Sequence, residues 1–316
     1  MSRKLRVTVL ISGSGSNLQA LLDALPTTLS TVAITSVISS RTDAYGLTRA
    51  RTHSPAPGAI PAEAFPLLKW KKRPENAGKD RQAWELDLAT KIRETRPDLV
   101  VLAGWMLILS ESFLKALVHP STEYDDDDAS ARPTTSAVPV LDPTSSVLPS
   151  IATPGPSPYP PAPFSLAEKP IPIINLHPAL PGQFPGAHAI RDAWEAFQVP
   201  DDATFITSAT QGVKEVLGQV ARDGGDERSQ AEAREALPNK RRITKTGLMI
   251  HRVIPLLDAG EPVVVREVDM IEGEPIEGLE ERIHKVEHEA IVEAVRVCDG
   301  LIRSGEWWDK KDVGRD

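Results

Sequence analysis

The chain has 316 residues, of which 41% are hydrophobic, and a formal net charge of −8. This composition is typical of a globular protein, and its acidic balance predicts no nucleic-acid partner, because such binding needs a basic surface. No segment approaches the ~20 apolar residues that span a bilayer, and the first residues lack a signal-peptide pattern, so we expect no membrane association. The single cysteine, Cys298, excludes an internal disulfide and favours a reducing, cytoplasmic location.

Strand and helix patterns alternate through the first hundred residues. Apolar, β-branched segments predict four strands, at 5–12, 31–39, 65–70 (weakly) and 98–103. Helical spacing predicts three helices, at 18–25, 44–51 (with Asp43 as N-cap) and 80–95. The alternation predicts βαβ units around a parallel sheet.

Two segments interrupt this pattern. Residues 119–170 are rich in Pro, Ser and Thr and predict a disordered insertion, whereas residues 200–242 are polar and charged, with surface helices predicted at 213–221 and 227–237. The apolar pattern resumes with strands at 171–175, 249–254 and 262–268 and a long helix at 279–301. Because a linker would separate two complete cores, we predict one domain, residues 1–316, that carries two insertions.

A glycine-rich turn, residues 12–17 (Ser-Gly-Ser-Gly-Ser-Asn), joins the first predicted strand to the first helix. Glycines allow close approach of a ligand, and a helix N-terminus offers free N–H groups to a phosphate. Leu18 stands where a dinucleotide-binding motif has its third glycine, and no acidic residue ends the second strand. The turn therefore favours a phosphate monoester over a dinucleotide, and a tight turn that binds nothing is the alternative.

A second motif, Asn175-Leu176-His177-Pro178, ends a buried strand. Strand alternation places Asn175 and His177 on one side, where an amide and an imidazole are suited to stabilise an oxyanion and transfer a proton. Asp258, in a turn between late strands, is placed to raise the pKa of a nearby imidazole. The alternatives are a buried histidine bonded to a carbonyl and an aspartate selected for its turn geometry.

Four further features allow a structural or a functional interpretation. Residues 284–288 match the zinc pattern H-x-x-E-H, but a third ligand is missing, so we predict no metal and expect either a polar helix face or a substrate contact through His284 or Glu287. His188 and His251 are candidates for pocket support or plain packing. Residues 106–109 suit either the wall of a flat aromatic ligand or the core.

Six segments, in order along the chain, together resemble the folate-dependent formyltransferases, most closely their glycinamide ribonucleotide branch: residues 11–24, 39–50, 98–110, 175–190, 246–268 and 279–295. The Asn-x-His-Pro motif and the later Leu-Asp turn are common to folate formyltransferases, whereas the Ser-Gly-x-Gly-Ser-Asn-Leu-Gln turn is more specific to that branch. The resemblance implies an α/β, Rossmann-like fold, with a mostly parallel, twisted sheet flanked by helices.

The resemblance also implies roles for individual residues. The catalytic residues would be Asn175, His177 and Asp258, with Asp258 keeping His177 protonated. The ribonucleotide would contact Gly15, Ser16, Asn17, His284 and Glu287. The folate would contact Arg81, Met106, Leu107, Ile108, Leu109, Asn175 and the turn of Ile254, Pro255, Leu256, Leu257 and Asp258. Leu107 and His284 depart from the residues usual in the family, which are Arg at the first position and Lys or Gln at the second.

The implied reaction transfers the formyl group of 10-formyltetrahydrofolate, a co-substrate, to the primary amine of glycinamide ribonucleotide, the third step of purine synthesis. The implied partners are these small molecules. One alternative is a formyltetrahydrofolate hydrolase or another folate-dependent formyltransferase of the same fold. Another is a non-catalytic regulator that binds folate or nucleotide.

Overall fold

The computed structural model describes residues 3–54, 58–118, 169–198 and 243–309. These residues form a seven-stranded sheet in the order β3-β2-β1-β4-β5-β6-β7. Its strands are β1 (Leu5–Ile11), β2 (Val32–Ser39), β3 (Ala62–Ala64), β4 (Leu99–Leu102), β5 (Ile173–His177), β6 (Lys245–Arg252) and β7 (Pro262–Asp269). Strands β1 to β5 pair in parallel, and β6 and β7 add to one edge in antiparallel fashion. The predicted mostly parallel α/β sheet is confirmed.

Helices cover both faces of the sheet. They are α1 (Ser16–Ala24), α2 (Tyr45–Arg51), α3 (Leu67–Lys71), α4 (Arg81–Glu94), α5 (Glu111–Ala116), α6 (Ala189–Gln198), α7 (Ile276–Ser304) and α8 (Glu306–Asp309), with a 3₁₀ turn at Pro74–Asn76. Val9 of β1 belongs to the apolar cluster that includes α1, α2 and α7 side chains, and its neighbour Leu10 belongs to the cluster that includes α3, α4 and α5 side chains. Burial on both faces explains why β1 is a continuous apolar run.

The predicted strand at 65–70 is wrong. The third strand is Ala62–Ala64, and Leu67–Lys71 is a helix that begins after Pro66. A three-residue strand at the sheet edge, with the sequence Ala-Glu-Ala, carries no alternating apolar pattern that reveals it. The apolar residues Phe65 and Trp70 instead bury themselves against α4, on one face of the sheet.

The predicted N-cap of the second helix is also wrong. Helix α2 begins at Tyr45, its N-cap residue is Ala44, and no side chain caps it. The Asp43 carboxylate instead accepts two hydrogen bonds from the Arg41 guanidinium, at 3.1 and 2.8 Å. A charged partner two residues away therefore competes successfully with the helix N–H groups for this carboxylate.

The two predicted insertions lie almost entirely outside the described residues, as do the helices predicted at 213–221 and 227–237. At the first interruption, Val118 forms an antiparallel bridge with Pro170, and the Ile171 N–H donates to the Leu117 carbonyl at 2.9 Å. The chain thus leaves and re-enters this part of the structure at neighbouring points. In the described part of the chain, no helix has the length and apolar character needed to cross a membrane.

Candidate active site

A cleft of about 1140 Å³ opens at the edge of the sheet where β1, β4 and β5 end. Open α/β sheets bind ligands beyond the carboxyl ends of their strands. The cleft is lined by the glycine turn 12–17, by residues 102–109 after β4, by residues 175–178 at the end of β5, by the turn 253–258 after β6, and by part of α7. Every residue predicted to act at the site lines this cleft except Arg81.

Asn175, His177 and Asp258 come together in this cleft. The strand β5 carries Asn175 and His177 two residues apart, and the turn after β6 brings the Asp258 carboxylate to 3.6 Å between its Oδ2 and His177 Nδ1. His177 is 4% exposed. Its Nε2–H donates to the Phe184 carbonyl at 3.1 Å, because a carbonyl oxygen only accepts. The imidazole is thereby fixed with Nδ1 toward the carboxylate.

His251 lies between Asn175 and Asp258. It stands opposite Asn175 in the pairing of β5 with β6. Its Nδ1–H donates to the Arg252 carbonyl at 2.9 Å, and its Nε2 lies 3.3 Å from Asn175 Nδ2 and 3.5 Å from Asp258 Oδ1. Of the two roles left open for His251, these contacts favour pocket support, because its ring contacts both the Asn175 amide and the Asp258 carboxylate.

The Asp258 turn is held in a conformation that non-glycine residues seldom adopt, with a φ of 50°. The Gly186 N–H donates to Asp258 Oδ2 at 3.2 Å, which ties this turn to the loop after β5. Gly260 packs so closely that an added Cβ would lie 1.7 Å from the Arg252 carbonyl oxygen. Sequence reasoning missed Gly186, Phe184 and Arg252, because their contributions are backbone contacts that leave no side-chain signal.

Burial and nearby charges bring the pKa values of both His177 and Asp258 below their ordinary values. Burial lowers the pKa of His177, and this effect outweighs the neighbouring Asp258 carboxylate, which favours the imidazolium. Burial raises the pKa of Asp258, but the hydrogen bond with His251, the charge of His177 and the Gly186 N–H together bring it below its ordinary value. Asp258 thus favours the imidazolium, as expected, but burial has the larger effect on the pKa of His177.

We expect the His177 imidazole to titrate below the ordinary pKa of about 6.5. In Asp258→Asn its pKa falls further, because the substitution removes the charge that stabilises the imidazolium. Imidazole ¹⁵N chemical shifts measured against pH test this, with the His177→Gln spectrum identifying the resonance. A His177 pKa above 6.5, or a rise in Asp258→Asn, would contradict the assignment.

The glycine turn leads into the N-terminus of α1, whose first N–H groups no side chain caps. Gly15 is the N-cap, with a φ of 72°, and the first turn of the helix contains no acidic residue and no side-chain cap. Its N–H groups therefore remain available to a phosphate. Asn17 Nδ2 donates to the buried Glu287 carboxylate of α7 at 3.0 Å, and Asn17 Oδ1 is buried without a partner. His284, one helical turn before Glu287, lines the same part of the cleft.

The segment 106–109 is both a cleft wall and a core segment. Met106 and Ile108 are 67% and 62% exposed, and Leu256 on the facing turn is 68% exposed. Leu109 is buried, and Leu107 packs against the same apolar cluster. Both interpretations left open by the sequence therefore apply, to alternate residues. Met106 and Ile108 present the apolar surface that a flat aromatic ligand requires, whereas Leu107 and Leu109 pack in the core.

Arg81 lies behind this wall, not in the cleft. Its Nε donates to Glu85 Oε1 at 3.0 Å, and its guanidinium also donates to the Ile108 carbonyl. The other Glu85 oxygen accepts the Ser110 N–H at 3.2 Å. The pair therefore holds the backbone of the wall, and Arg81 is the one predicted site residue that does not line the cleft. The i,i+4 spacing of Arg81 and Glu85 is the sequence signal that points to this role.

The remaining predicted residues line the cleft in their expected neighbourhoods. His188 follows Gly186 in the loop before α6, and Ile254 to Leu257 form the turn that leads to Asp258. Among residues 3–54, 58–118, 169–198 and 243–309, no group of three or more His, Cys, Asp or Glu side chains is arranged to hold a metal ion. Glu287 of the H-x-x-E-H segment is directed to Asn17.

Comparison with known proteins identifies the class. The family model described as formyl transferase matches residues 5–123 and 235–295. This chain belongs to the formyl transferase family. Its relatives include proteins named phosphoribosylglycinamide formyltransferase. The one from Dictyostelium discoideum is 32% identical over 92% of this chain and 96% of the relative. The one from Schizosaccharomyces pombe is 35% identical over 92% of this chain and 94% of the relative.

Solved structures agree on the fold. A glycinamide ribonucleotide transformylase from Symbiobacterium toebii superposes with a TM-score of 0.54 at 24% identity, covering 94% of this chain and 89% of that one. A phosphoribosylglycinamide formyltransferase from Streptococcus pneumoniae gives a TM-score of 0.52 at 22% identity, covering 93% of this chain and 97% of that one. The predicted formyltransferase-type fold is confirmed.

Proposed function

We propose that this protein transfers the formyl group of 10-formyltetrahydrofolate to the primary amine of glycinamide ribonucleotide. The observation that carries the proposal is the position of Asn175, His177 and Asp258 between an anion-binding helix N-terminus and an apolar wall, within one cleft. The cleft volume of about 1140 Å³ exceeds the ~300–1,000 Å³ usual for a single small ligand, as a two-substrate site requires.

Each half of the cleft suits one substrate. The N–H groups at Ser16 and Asn17 bind the ribonucleotide phosphate, and Glu287 and His284 contact its polar remainder. Met106, Ile108 and the turn 254–258 hold the pterin ring of the folate. The two substrates meet at the end of β5, and much of the acceleration comes from holding the amine beside the formyl carbon.

The chemistry then needs an oxyanion site and a proton carrier. The amine attacks the formyl carbon, and the Asn175 amide donates to the oxygen that becomes negative. The proton that the attacking amine loses passes through water to Nδ1 of neutral His177, because Nε2 already carries the hydrogen bonded to the Phe184 carbonyl. The resulting imidazolium is stabilised by Asp258 and by the adjacent oxyanion. It returns the proton to N10 of the folate as the carbon–nitrogen bond breaks, so the reaction requires no covalent enzyme intermediate.

The competing functions differ in what they release. A formyltetrahydrofolate hydrolase uses water in place of the amine and needs no phosphate site. The glycine turn, which suits a phosphate, therefore favours a transferase over a hydrolase. A regulator that only binds ligands has no need of the linked Asn175, His177, His251 and Asp258 side chains. The relatives named phosphoribosylglycinamide formyltransferase favour the glycinamide ribonucleotide as acceptor.

An absorbance assay of the formyl donor separates these functions. Loss of 10-formyltetrahydrofolate should depend on glycinamide ribonucleotide, and the same nucleoside without its phosphate should serve only at much higher concentration. Formate release without any acceptor would identify a hydrolase. Binding of both ligands without turnover would identify a regulator, and either result would overturn the proposal.

The domain organisation and the cellular location of the protein are proposals as well. We propose that residues 119–170 and 200–242 are insertions into one formyltransferase domain, which the bridge between Val118 and Pro170 supports for the first. We also propose a cytoplasmic location, supported by the single cysteine, Cys298, which is buried. The proposed partners are small molecules alone.

A further inference from the structure

Three loops of the cleft meet at one buried hydroxyl, that of Ser12. Ser12 follows β1 directly and opens the glycine turn, and it is 5% exposed. Its Oγ accepts the Met106 N–H at 3.0 Å. The same oxygen lies 2.7 Å from Ser40 Oγ, in the loop after β2, so that one hydroxyl donates to the other. Ser12 thus connects the glycine turn, the loop after β2 and the apolar wall.

The hydrogen bond to Met106 continues the pairing of β1 with β4 beyond the strands. The Ala103 N–H donates to the Leu10 carbonyl at 2.9 Å, as the ladder requires. The chain then turns at Gly104, whose φ is 81°, and backbone pairing ends. The Ser12 side chain supplies the next acceptor and satisfies an N–H of the wall segment 106–109. A backbone donor that loses its acceptor at a part-buried position is costly, so this bond constrains where the wall stands.

Each partner in this bond belongs to a different half of the cleft. Gly15, Ser16 and Asn17 follow Ser12 in the same turn, and Met106 presents apolar surface to the opposite half. A ligand that orders one loop lowers the cost of ordering the other when the two are physically joined. Any resulting change in affinity must be reciprocal between the two ligands.

We infer that Ser12 is a positioning residue that couples the two substrate-binding halves, so that each substrate tightens the binding of the other. The inference rests on the proposed function, because it concerns the two substrates named there. Ser12 contacts neither reacting group. Its effect is transmitted through the Met106 backbone on one side and through the glycine turn on the other.

The test measures binding without reaction. Tetrahydrofolate carries no formyl group, so it and glycinamide ribonucleotide form a stable ternary complex for calorimetry. In the unchanged protein, saturating ribonucleotide should lower the Kd of tetrahydrofolate at least about fivefold, and the reverse titration should give the same factor. In Ser12→Ala this factor should fall to about one.

Controls distinguish coupling from general damage. Ser40→Ala removes the other hydroxyl but leaves the Met106 bond. In this variant, one ligand should still lower the Kd of the other by most of the factor seen in the unchanged protein. Ser12→Cys, a weaker acceptor of similar size, should give an intermediate factor and serves if Ser12→Ala fails to fold. If Ser12 had a merely structural role, Ser12→Ala would weaken the binding of both ligands but leave unchanged the factor by which each lowers the Kd of the other. That result, or a factor near one in the unchanged protein, would overturn the inference, whereas failure to bind either ligand would instead overturn the proposed function.

Discussion

His177→Ala and Asp258→Ala should each lower kcat by about 10²- to 10⁴-fold, the range expected when a positioned proton-transfer group is removed. His177 carries the proton between the two nitrogens, and Asp258 stabilises the imidazolium at a separation of 3.6 Å. His177 is assigned no anchoring role, so the KM values of His177→Ala should change by less than about threefold. Asp258 belongs to the turn proposed to hold the pterin ring, so Asp258→Ala should also raise the KM for the folate, but by less than kcat falls. Steady-state kinetics with each substrate varied in turn measures both quantities.

Matched substitutions outside the cleft control for the loss of a histidine or an aspartate. His53→Ala and Asp23→Ala alter residues that do not line the cleft and should retain turnover. Thermal unfolding of all four variants checks that the catalytic pair has not simply unfolded. Near-normal kcat in either His177→Ala or Asp258→Ala would remove that residue from the mechanism. A rise in KM without a fall in kcat would reassign it to binding.

The sheet was predictable wherever a strand is buried on both faces. Such strands are continuous apolar runs, as in β1 and β4, and the sequence shows them directly. The edge strand β3 was not predicted, because its three residues are only partly buried and show no apolar alternation. Its apolar neighbours Phe65 and Trp70 are buried by tertiary packing against α4, which local periodicity does not report.

The positions of the proposed catalytic residues on β5 were predictable for a related reason. Alternation in β5 fixes Asn175 and His177 on one side of the strand whatever else the chain does. The direction in which the pKa of His177 shifts was not predictable, because it depends on burial of the ring and on the distance to Asp258. Likewise Arg81 begins α4 as expected, but its long side chain turns to Glu85 and the Ile108 carbonyl, a choice made only in the folded protein.

Gly15→Ala should raise the KM for glycinamide ribonucleotide at least tenfold, about 1.4 kcal/mol, with a smaller change in kcat. At the φ of 72° found here, a side chain costs roughly 1–2 kcal/mol, and the added Cβ would lie 2.6 Å from the Gly46 Cα. The closest atoms, the Cα and N of Gly46, are backbone, so no flexible side chain can move aside to relieve this contact. The turn must therefore shift, which takes the Ser16 and Asn17 N–H groups away from the phosphate.

Gly13→Ala provides the matched control within the same turn. A Cβ on Gly13 meets no atom within 4 Å, and its φ is not in the left-handed region, so this variant should keep the KM within about twofold. Binding of tetrahydrofolate alone should be little changed in both variants, because the wall segment is untouched. If the two substitutions raised the ribonucleotide KM equally, the phosphate would not be bound at the N-terminus of α1. The left-handed conformation of Gly15 would then serve only to pack the turn against α2.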